Sequence, residues 1–522
     1  MTTTESRKML LASFLVALFF GVPILGIVTS EINSDQENVL SLDLDEKQFS
    51  NHQTNFTLGW DYAGQIINET VEKRVLDIDH FPNGDLAVLI QSERVGCGLQ
   101  NQIMSDIFSN LLLRIQPDGT CIDGVSISGP ANWRVGSLSV SQSGEIWLLG
   151  QTSNGIFINN QTVMNIDQSV RKNFVLTLNS NFTFKFVTVI NSDASTLSNG
   201  PHNLWFTEEL NNEDFAVTVR GGESYEVWNQ SCNALKGCVY IFDNSNGTIK
   251  SSHTIPSNDG ALGFGTLASK IIFHGTKWLY FTSGGFLNEY DSINESVRVV
   301  VGDNLIISSS QITRISELNA FTFLDEHIYL QYFDDSLGCS LPNTTNNAII
   351  AFAAIKINIT SGLCSLAAPV VYGWGGIIAR VVDNTPNEIY FSGRLSGNAS
   401  FLNGTELVSL GQSPNMFLAV LSLTSSSWVW AEEAGGTFSN EIEDISISND
   451  GLIALSGGHS TDYYGPHFFN AYPRQYQGGV LLLSEDLDLD GYGSISDLDD
   501  DGDNWSDEDE ISCQSNPFDS SS

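Results

Sequence analysis

The residues of this chain best suited to chemistry lie near its end, in two consecutive segments of the same length, 486–497 and 499–510. Each places carboxylates at positions 1, 3 and 5 and ends on an acidic residue, which is the spacing of a calcium loop. Ca²⁺ takes about six to eight oxygen ligands, and a short loop supplies them by alternating side-chain carboxylates with a backbone carbonyl. The spacing predicts two calcium sites, so Ca²⁺ is the cofactor that the sequence implies.

The predicted ligands follow the loop positions. In the first loop they are Asp486, Asp488 and Asp490, the backbone carbonyl of Tyr492, and Asp497 at the end. In the second loop they are Asp499, Asp501 and Asp503, the carbonyl of Trp505, Asp507 at position 9, and Glu510 as a bidentate ligand. Asn504 stands where such loops usually have glycine, and Asn tolerates the left-handed backbone of that turn. The alternative is a solvated acidic tail, as runs of like charge usually are.

The N-terminus predicts export. Arg7 and Lys8 precede an uncharged apolar run at 9–28, which is typical of a signal peptide or a membrane anchor. Two interpretations stay open. Cleavage after the small residues at 28–30 gives a secreted protein, whereas an uncleaved run anchors the chain through residues 9–28. Both place the remaining chain outside the cell or on its surface.

Charge and glycosylation motifs agree with that location. The chain has 61 acidic and 22 basic residues, a net charge of −39, which argues against nucleic acid and anionic membranes as partners. Asn-X-Ser/Thr motifs, the acceptor sites of N-glycosylation, recur along the chain. They are at Asn55, Asn68, Asn160, Asn181, Asn229, Asn246, Asn294, Asn343, Asn358, Asn398, Asn403 and Asn504.

The middle of the chain repeats a hairpin. In each copy a turn rich in Asn, Asp and Gly joins two short apolar strands. The first apolar residue after each turn recurs at intervals of about 50 to 70 residues, which predicts seven modules. These residues are Leu86, Ile146, Phe215, Trp278, Ile328, Ile389 and Leu452.

Each module is predicted to continue with a third strand and a fourth, outer strand. The predicted third strands are at 111–115, 174–178, 239–242, 297–301, 349–357, 417–421 and 480–483. The outer strand is clearest at 428–436. The seventh module has none, because the acidic tail begins at once. Residues 56–64 match 428–436 in their Trp, Ala and Gly order, so we expect this N-terminal strand to complete the last sheet and cover two edges.

Four strands in each of seven modules predict an all-β, seven-bladed β-propeller over residues 54–485. It follows a signal peptide or anchor at 1–29 and a polar linker at 30–53, and it precedes the acidic calcium-binding repeats at 486–522. Two packed β-sandwiches are the alternative fold. The repeat resembles that of microbial cell-surface seven-bladed β-propeller proteins, and the tail resembles thrombospondin type 3 and dockerin calcium repeats. The resemblance implies a surface protein on a calcium-stiffened stalk.

The seven cysteines indicate disulfides. Cys97 and Cys121 in the first module occupy places equivalent to Cys339 and Cys364 in the fifth, which predicts two equivalent bonds. Cys232 and Cys238 could close a small loop in the third module, and Cys513 is left over. None of the cysteine spacings is that of a zinc site.

No catalytic motif stands out, so no catalytic residue is predicted. The segment 458–479 is distinctive because it contains Tyr463, Tyr464, His467, Phe468, Phe469, Tyr472, Arg474 and Tyr476. Such residues contact sugar rings or protein partners, or else pack over their own module. The sequence therefore predicts an extracellular binding or adhesion module whose ligand is a glycan or a surface protein. The alternative is an extracellular polysaccharide hydrolase or lyase, which a cluster of carboxylates with shifted pKa at the central mouth would favour.

Overall fold

The chain divides into two compact units, Met1–Ser50 and Asn51–Ser522, and every residue described by the computed structural model belongs to the second. The predicted leader, the polar linker and all eleven predicted calcium ligands lie outside the described residues. The described residues are 56–61, 74–91, 94–95, 103–104, 109–129, 134–152, 155–159, 161–165, 172–192, 204–211, 214–219, 225–227, 230–232, 237–255, 271–281, 287–300, 321–331, 350–401, 406–409, 415–435, 442–448, 451–457, 463–464, 467–468, 479–485, 506 and 513.

The regular elements of these residues are all strands, so the all-β prediction is confirmed. In chain order the strands are β1 (Phe56–Asp61), β2 (Arg74–His80), β3 (Leu86–Gln91), β4 (Arg94–Val95), β5 (Ile103–Met104), β6 (Ser109–Ile115), β7 (Cys121–Ser128), β8 (Arg134–Val140), β9 (Ile146–Thr152), β10 (Gly155–Ile158), β11 (Gln161–Asn165), β12 (Lys172–Leu178), β13 (Phe184–Ser192), β14 (Leu204–Asn211), β15 (Asp214–Val219), β16 (Tyr225–Val227), β17 (Gln230–Cys232), β18 (Gly237–Asp243), β19 (Ile249–Ile255), β20 (Ile272–His274), β21 (Lys277–Phe281), β22 (Leu287–Asp291), β23 (Ser296–Val299), β24 (Phe321–Leu324), β25 (His327–Gln331), β26 (Ile350–Phe352), β27 (Ala354–Asn358), β28 (Cys364–Leu366), β29 (Val371–Asn384), β30 (Glu388–Ser400), β31 (Glu406–Val408), β32 (Asn415–Ser422), β33 (Ser427–Gly435), β34 (Ile442–Ile447), β35 (Ile453–Gly457), β36 (Tyr463–Tyr464), β37 (His467–Phe468) and β38 (Gly479–Glu485).

In the described part of the chain, seven antiparallel sheets follow one another, and each has a core of four strands. The cores are sheet 1 (β2, β3, β6, β7), sheet 2 (β8, β9, β12, β13), sheet 3 (β14, β15, β18, β19), sheet 4 (β20 to β23), sheet 5 (β24, β25, β27, β28), sheet 6 (β29, β30, β32, β33) and sheet 7 (β34, β35, β38, β1). A separate ribbon pairs β4 with β5. Every predicted hairpin is present as the first two strands of a sheet, which confirms the repeat.

Two strand predictions were wrong in detail. In sheet 4 the third strand is β22, whereas residues 297–299 of the predicted strand belong to β23, which is the fourth strand of that sheet. The predicted strand 349–357 is two strands, because β26 pairs with β29 of sheet 6 while β27 pairs with β25 of sheet 5. The first buried residue after the last turn is Ile453, because Leu452 precedes the strand and is half-buried.

Sheet 7 is completed by the N-terminal strand, as predicted. β1 pairs with β38 from Phe56 opposite Glu485 to Asp61 opposite Leu481. Strand β38 is therefore paired on both sides, and its edge is not left open for intermolecular pairing.

Consecutive sheets pack face to face through separate apolar clusters. Between sheets 2 and 3, for example, the Trp147 ring stacks on Phe215 with centroids 4.0 Å apart. A further cluster joins Ala454 and Val480 of sheet 7 to Val88 and Leu111 of sheet 1. Strands between two such clusters are buried on both faces, which is why they are continuous apolar runs in the sequence.

Three hairpins reach back and extend the preceding sheet. Each lies between the second and third strands of its own sheet and pairs with the outer strand of the sheet before it. β10 pairs with β7, β16 pairs with β13, and β36 pairs with β33. These main-chain pairings tie sheet 2 to sheet 1, sheet 3 to sheet 2 and sheet 7 to sheet 6.

The cysteine placement is equivalent in sheets 1 and 5. Cys121 and Cys364 each begin the fourth strand, opposite Ile115 and Ile357 near the end of the third. Cys121, Cys238 and Cys364 are disulfide-bonded. Their predicted partners have no described side chains, so the three pairings stay predictions. The residues that the structure describes include no helix able to cross a membrane.

We predict that deleting residues 54–64 destabilises the whole second unit, because β38 loses an entire hydrogen-bonded neighbour. The expected loss in unfolding free energy is on the order of 5 kcal/mol, in the range of strongly disruptive changes, and urea or thermal denaturation measures it. A variant that lacks residues 1–50 but keeps β1 is the control, and it should melt like the parent. Equal stability of the two truncations would contradict the closure.

Candidate functional site

The first strands of the sheets converge on one cavity. β34 contacts β2, β2 contacts β8, β8 contacts β14, β24 contacts β29, and β29 contacts β34. The cavity has a volume of about 710 Å³, and the first strands of sheets 1, 2, 4, 5, 6 and 7 line it. We call it the axial cavity and treat it as the candidate site.

The register of the hairpins defines matching positions in the first strands. One level consists of the residues that pair one position beyond the first buried apolar residue of the second strand. It holds Asp79, Ser139, Glu208, Ile272, Thr322, Asp383 and Ser446, one from each sheet. Two residues earlier, a second level holds Asp77 in sheet 1 and Asp444 in sheet 7. Acidic and hydroxyl residues thus recur at these register positions of the first strands.

Two aspartates of sheet 1 bind the free edge of sheet 2. The backbone N–H of Leu138 donates to Asp77 Oδ2, and that of Val140 donates to Asp79 Oδ2, both at 2.6 Å. β8 is the innermost strand of its sheet, so no strand of that sheet can accept these N–H groups. A buried N–H without a partner costs about 1–3 kcal/mol, and the carboxylates remove that cost.

The same arrangement continues into sheet 7. The side chains of Asp77 and Asp444 are hydrogen-bonded to each other. Ser446 Oγ lies 3.3 Å from Asp79 Oδ1 and 2.9 Å from His80 Nδ1. Polar side chains therefore link the inner edges of sheets 7, 1 and 2 on both levels.

Burial controls protonation in this cluster. It raises the pKa of Asp77 to about 6 and the pKa of Asp79 to about 7, although backbone N–H donors oppose the shift. Burial, followed by the charge of Asp77, raises the pKa of Asp444 well above its usual range. Two carboxyl groups in direct contact share a proton, so Asp444 keeps its proton and donates it to Asp77. Burial also lowers the pKa of His80 to about 4, which keeps its imidazole neutral.

The geometry limits the chemistry of this cluster. A glycosidase holds its two carboxyl groups about 5 to 10 Å apart, with the sugar between them, whereas Asp77 and Asp444 are in direct hydrogen bond. Asp77 and Asp79 also each use one carboxylate oxygen to accept a backbone N–H of β8. Across the residues that the structure covers, no three His, Cys, Asp or Glu side chains are placed to hold a metal ion.

The aromatic segment 458–479 is described only in part. Its residues Tyr463 and Tyr464 form β36, which pairs with Ala434 and Gly435 of sheet 6, and β37 follows it. The hairpin therefore extends the preceding sheet, and does not lie over its own. The described residues contain one exposed tryptophan, Trp374, which is 65% exposed on β29. The predicted contact surface stays a prediction.

The carboxylate cluster was missed by the sequence reasoning, because acidic residues are too numerous in this chain for any pair to stand out. The usable signal was local. Asp77 and Asp79 alternate with apolar residues directly before the first hairpin turn, and Asp444 and Ser446 do so before the last. Equivalent positions in the first and last modules would then have predicted proximity at the inner edge.

Comparisons with known proteins add little. No family model matches the sequence, and no curated protein matches it. Among solved structures, the chain is similar to the crystal structure of BamB from Moraxella catarrhalis, at 8% identity over 78% of this chain and 82% of that chain. The TM-score is 0.32, a level of likeness that carries no argument about function.

We predict that the protein loses stability as the pH rises from about 4 to about 7. Asp77, Asp79 and Asp444 have folded pKa values above the unfolded value, so the folded state binds more protons in this window. The lowered pKa of His80 acts in the opposite direction, because the unfolded state binds that proton more tightly. It offsets the contribution of about one of the three aspartates. Urea denaturation at pH 5 and pH 8 measures the difference. An unchanged or higher stability at pH 8 would contradict the assignment.

Substitution of Asp79 separates its hydrogen bond from its charge. Asp79→Asn keeps an acceptor for Val140 N–H without a buried charge, so we expect no loss at pH 8 and a flatter pH profile. Asp79→Ala leaves that N–H without a partner and should cost about 1–3 kcal/mol at any pH. Equal losses of unfolding free energy in the two variants would show that accepting the Val140 N–H is not how Asp79 stabilises the fold.

Proposed function

We propose that this protein is an extracellular or cell-surface seven-bladed β-propeller with a calcium-binding tail, and that it acts as a binding or adhesion module. The seven sheets are the blades, and the axial cavity is the centre of the ring. Three features support the ring: the sheets follow the chain order, each packs on the next, and sheet 7 packs on sheet 1. Two β-sandwiches would have no such cyclic order of interfaces.

One observation carries the preference for binding over turnover. The carboxylates that line the axial cavity already have structural partners, because Asp77 and Asp79 accept backbone N–H groups and Asp77 pairs with Asp444. A general acid or nucleophile has to reach its substrate with at least one free oxygen in the correct position. Groups held in this way favour rigidity, and a rigid scaffold suits a recognition surface.

The extracellular location rests on the sequence and on cysteine chemistry. The N-terminal apolar run, the glycosylation motifs and the net charge of −39 all suit export. Disulfide-bonded Cys121, Cys238 and Cys364 agree with an oxidising compartment. We propose the pairs Cys97–Cys121, Cys232–Cys238 and Cys339–Cys364. The ribbon β4–β5 brackets Cys97, and its strand β5 contacts β7, which begins with Cys121.

The proposed contact surface is the aromatic segment around Tyr463–Tyr476, with a glycan or a surface protein as ligand. Burying two or three rings gives a few kcal/mol at about 25 cal/mol per Å². After the cost of association this yields weak single contacts, which become effective when many copies act together on a surface.

The second candidate function is a polysaccharide hydrolase or lyase that acts at the axial cavity. The raised pKa values of Asp77 and Asp79 favour it, because burial-shifted carboxyl groups in a cavity are common at active sites. The direct contact between Asp77 and Asp444 counts against it, as does the use of both aspartates in backbone hydrogen bonds.

Polysaccharide arrays test the two functions together. A set of surface polysaccharides is incubated with the protein, and both retention and released oligosaccharides are measured. The proposal expects retention without release, and it expects Tyr464→Ala with Phe468→Ala to reduce retention. Asp77→Asn is the matched variant and should leave retention unchanged. Product release that Asp77→Asn abolishes would make the enzyme the better account.

Calcium binding by the tail is tested by calorimetry. We expect two sites in residues 486–510, with dissociation constants of about 10⁻⁴ to 10⁻³ M, the range of extracellular modules. Asp486→Asn with Asp488→Asn should remove one site, and Asp499→Asn with Asp501→Asn the other, without changing the melting of the sheets. The absence of calcium-dependent heat in the parent would contradict the prediction.

A further inference from the structure

Several sheets carry an equivalent turn between their third and fourth strands. In sheets 1, 2, 3, 4 and 6 the turn contains one residue with a left-handed backbone. These residues are Gly119 (φ 83), Phe182 (φ 60), Gly247 (φ 70), Glu295 (φ 47) and Ser426 (φ 49). The residue just before each of them therefore occupies the same position in its turn, and in these sheets it is Asp118, Asn181, Asn246, Asn294 and Ser425.

The side chain at this position stabilises the turn from within. Asp118 Oδ1 accepts the N–H of Thr120 at 2.7 Å, and Asn246 Oδ1 accepts that of Thr248 at 2.8 Å. Asn181 Oδ1 accepts that of Thr183 at 3.2 Å. Asp and Asn are both suited to this role, so the turn by itself does not explain why sheets 2 and 3 have Asn. In sheet 4 the contact differs, because Asn294 Nδ2 donates to Asp291 Oδ2 at 2.8 Å.

The asparagines of these three sheets share a second property. Asn181, Asn246 and Asn294 are all exposed, and each begins an Asn-X-Ser/Thr motif whose hydroxyl residue is exposed too. Thr183 Oγ1 and Thr248 Oγ1 each lie 2.6 Å from the Oδ1 atom of their asparagine. The acceptor amide and the motif hydroxyl are thus presented together at the surface. The turn of sheet 5 also has a left-handed residue, Gly362 (φ 68), but Ser361 precedes it, and the motif of this sheet begins at the half-buried Asn358, directly before the turn.

These turns lie at the same end of their sheets. Phe182 in the turn of sheet 2 meets Phe81 in the first turn of sheet 1, with ring centroids 6.5 Å apart. Lys185 Nζ of sheet 2 donates to the carbonyl of Asn244 in the turn of sheet 3 at 2.6 Å. Arg298 Nη2 of sheet 4 donates to the carbonyl of Ile359 in the turn of sheet 5 at 3.1 Å. We call this side the turn end.

We propose that Asn181, Asn246, Asn294 and Asn358 are a row of N-glycan acceptors along the turn end of sheets 2 to 5. The modification joins the Nδ2 atom of asparagine to the anomeric carbon of an activated glycosyl donor. The amide loses a proton, and the lipid-linked phosphate carrier of the donor is the leaving group. The inference rests on the extracellular location in the proposed function, because glycan transfer accompanies export.

The row has a consequence for binding. Sheets 1 and 6 have no such motif in the turn between their third and fourth strands, and in sheet 7 these two strands are not joined by a turn because the fourth is β1. β38 ends at the turn end of sheet 7, so the acidic tail leaves from the part without glycans. Glycans on sheets 2 to 5 would shield the turns of those sheets and leave the turn end of sheets 6, 7 and 1 open.

The test is peptide mapping by mass spectrometry of the full chain, made in a host that glycosylates its exported proteins. All four asparagines are expected to be modified. Asn181→Asp and Asn246→Asp should remove one glycan each and leave the melting temperature nearly unchanged, because Asp keeps the turn hydrogen bond, as Asp118 does. The D118N variant converts the turn of sheet 1 into the same motif, and we expect it to gain a glycan.

Export is measured separately, by recovery of the protein outside the cell with its cysteines oxidised. An exported protein with unmodified Asn181, Asn246 and Asn294 would overturn the inference and leave the proposed location standing. Modification of the four asparagines but not of D118N would contradict the argument from turn geometry. A protein retained inside the cell and unmodified would overturn the location and the inference together. Limited proteolysis gives a second readout, since Asn→Asp at one turn should speed cleavage there severalfold and nowhere else.

Discussion

The fold depends on how it satisfies the inner edges of its sheets. A four-stranded sheet has two edges, and its innermost strand directs N–H groups that its own sheet does not pair toward the axial cavity. Sheet 1 meets this constraint with side chains, since Asp77 and Asp79 accept the N–H groups of Leu138 and Val140. Their hydrogen bonds fix the spacing of the two sheets, and the burial that raises the pKa of both groups controls their protonation. The same hydrogen bonds that join sheets 1 and 2 leave these carboxyl groups less available for catalysis.

The outer edges are covered by strands and not by side chains. In sheet 7 the outer strand is the N-terminal β1, and in three other sheets a hairpin of the next sheet along the chain pairs with the outer strand. Backbone pairing between successive sheets adds main-chain hydrogen bonds to the apolar packing between them. This arrangement opposes local unfolding, because opening one of these sheets requires breaking main-chain hydrogen bonds to the next.

Much of the fold could be predicted because each hairpin carries its own turn chemistry and apolar strands, and because residues 56–64 repeat the pattern of 428–436. The predictions failed where one apolar segment can pair with strands of two different sheets. Residues 349–357 are apolar throughout, and only three-dimensional packing assigns their first part to sheet 6 and their second to sheet 5. The third strand of sheet 4 contains Asn288 and Glu289, whose polarity hid a buried strand. The Asp cluster could not be predicted as a site, because which strand is innermost follows from sheet order and not from composition.

Hydrogen exchange at the inner edge tests the central claim most directly. The claim is that the carboxyl groups of Asp77 and Asp79 protect the backbone N–H groups of β8. Peptides covering 134–140 should exchange slowly in the parent and in Asp77→Asn with Asp79→Asn, and much faster in Asp77→Ala with Asp79→Ala. Peptides of β13, at the other edge of the same sheet, should not change. Equal exchange at 134–140 in all three proteins would contradict the account.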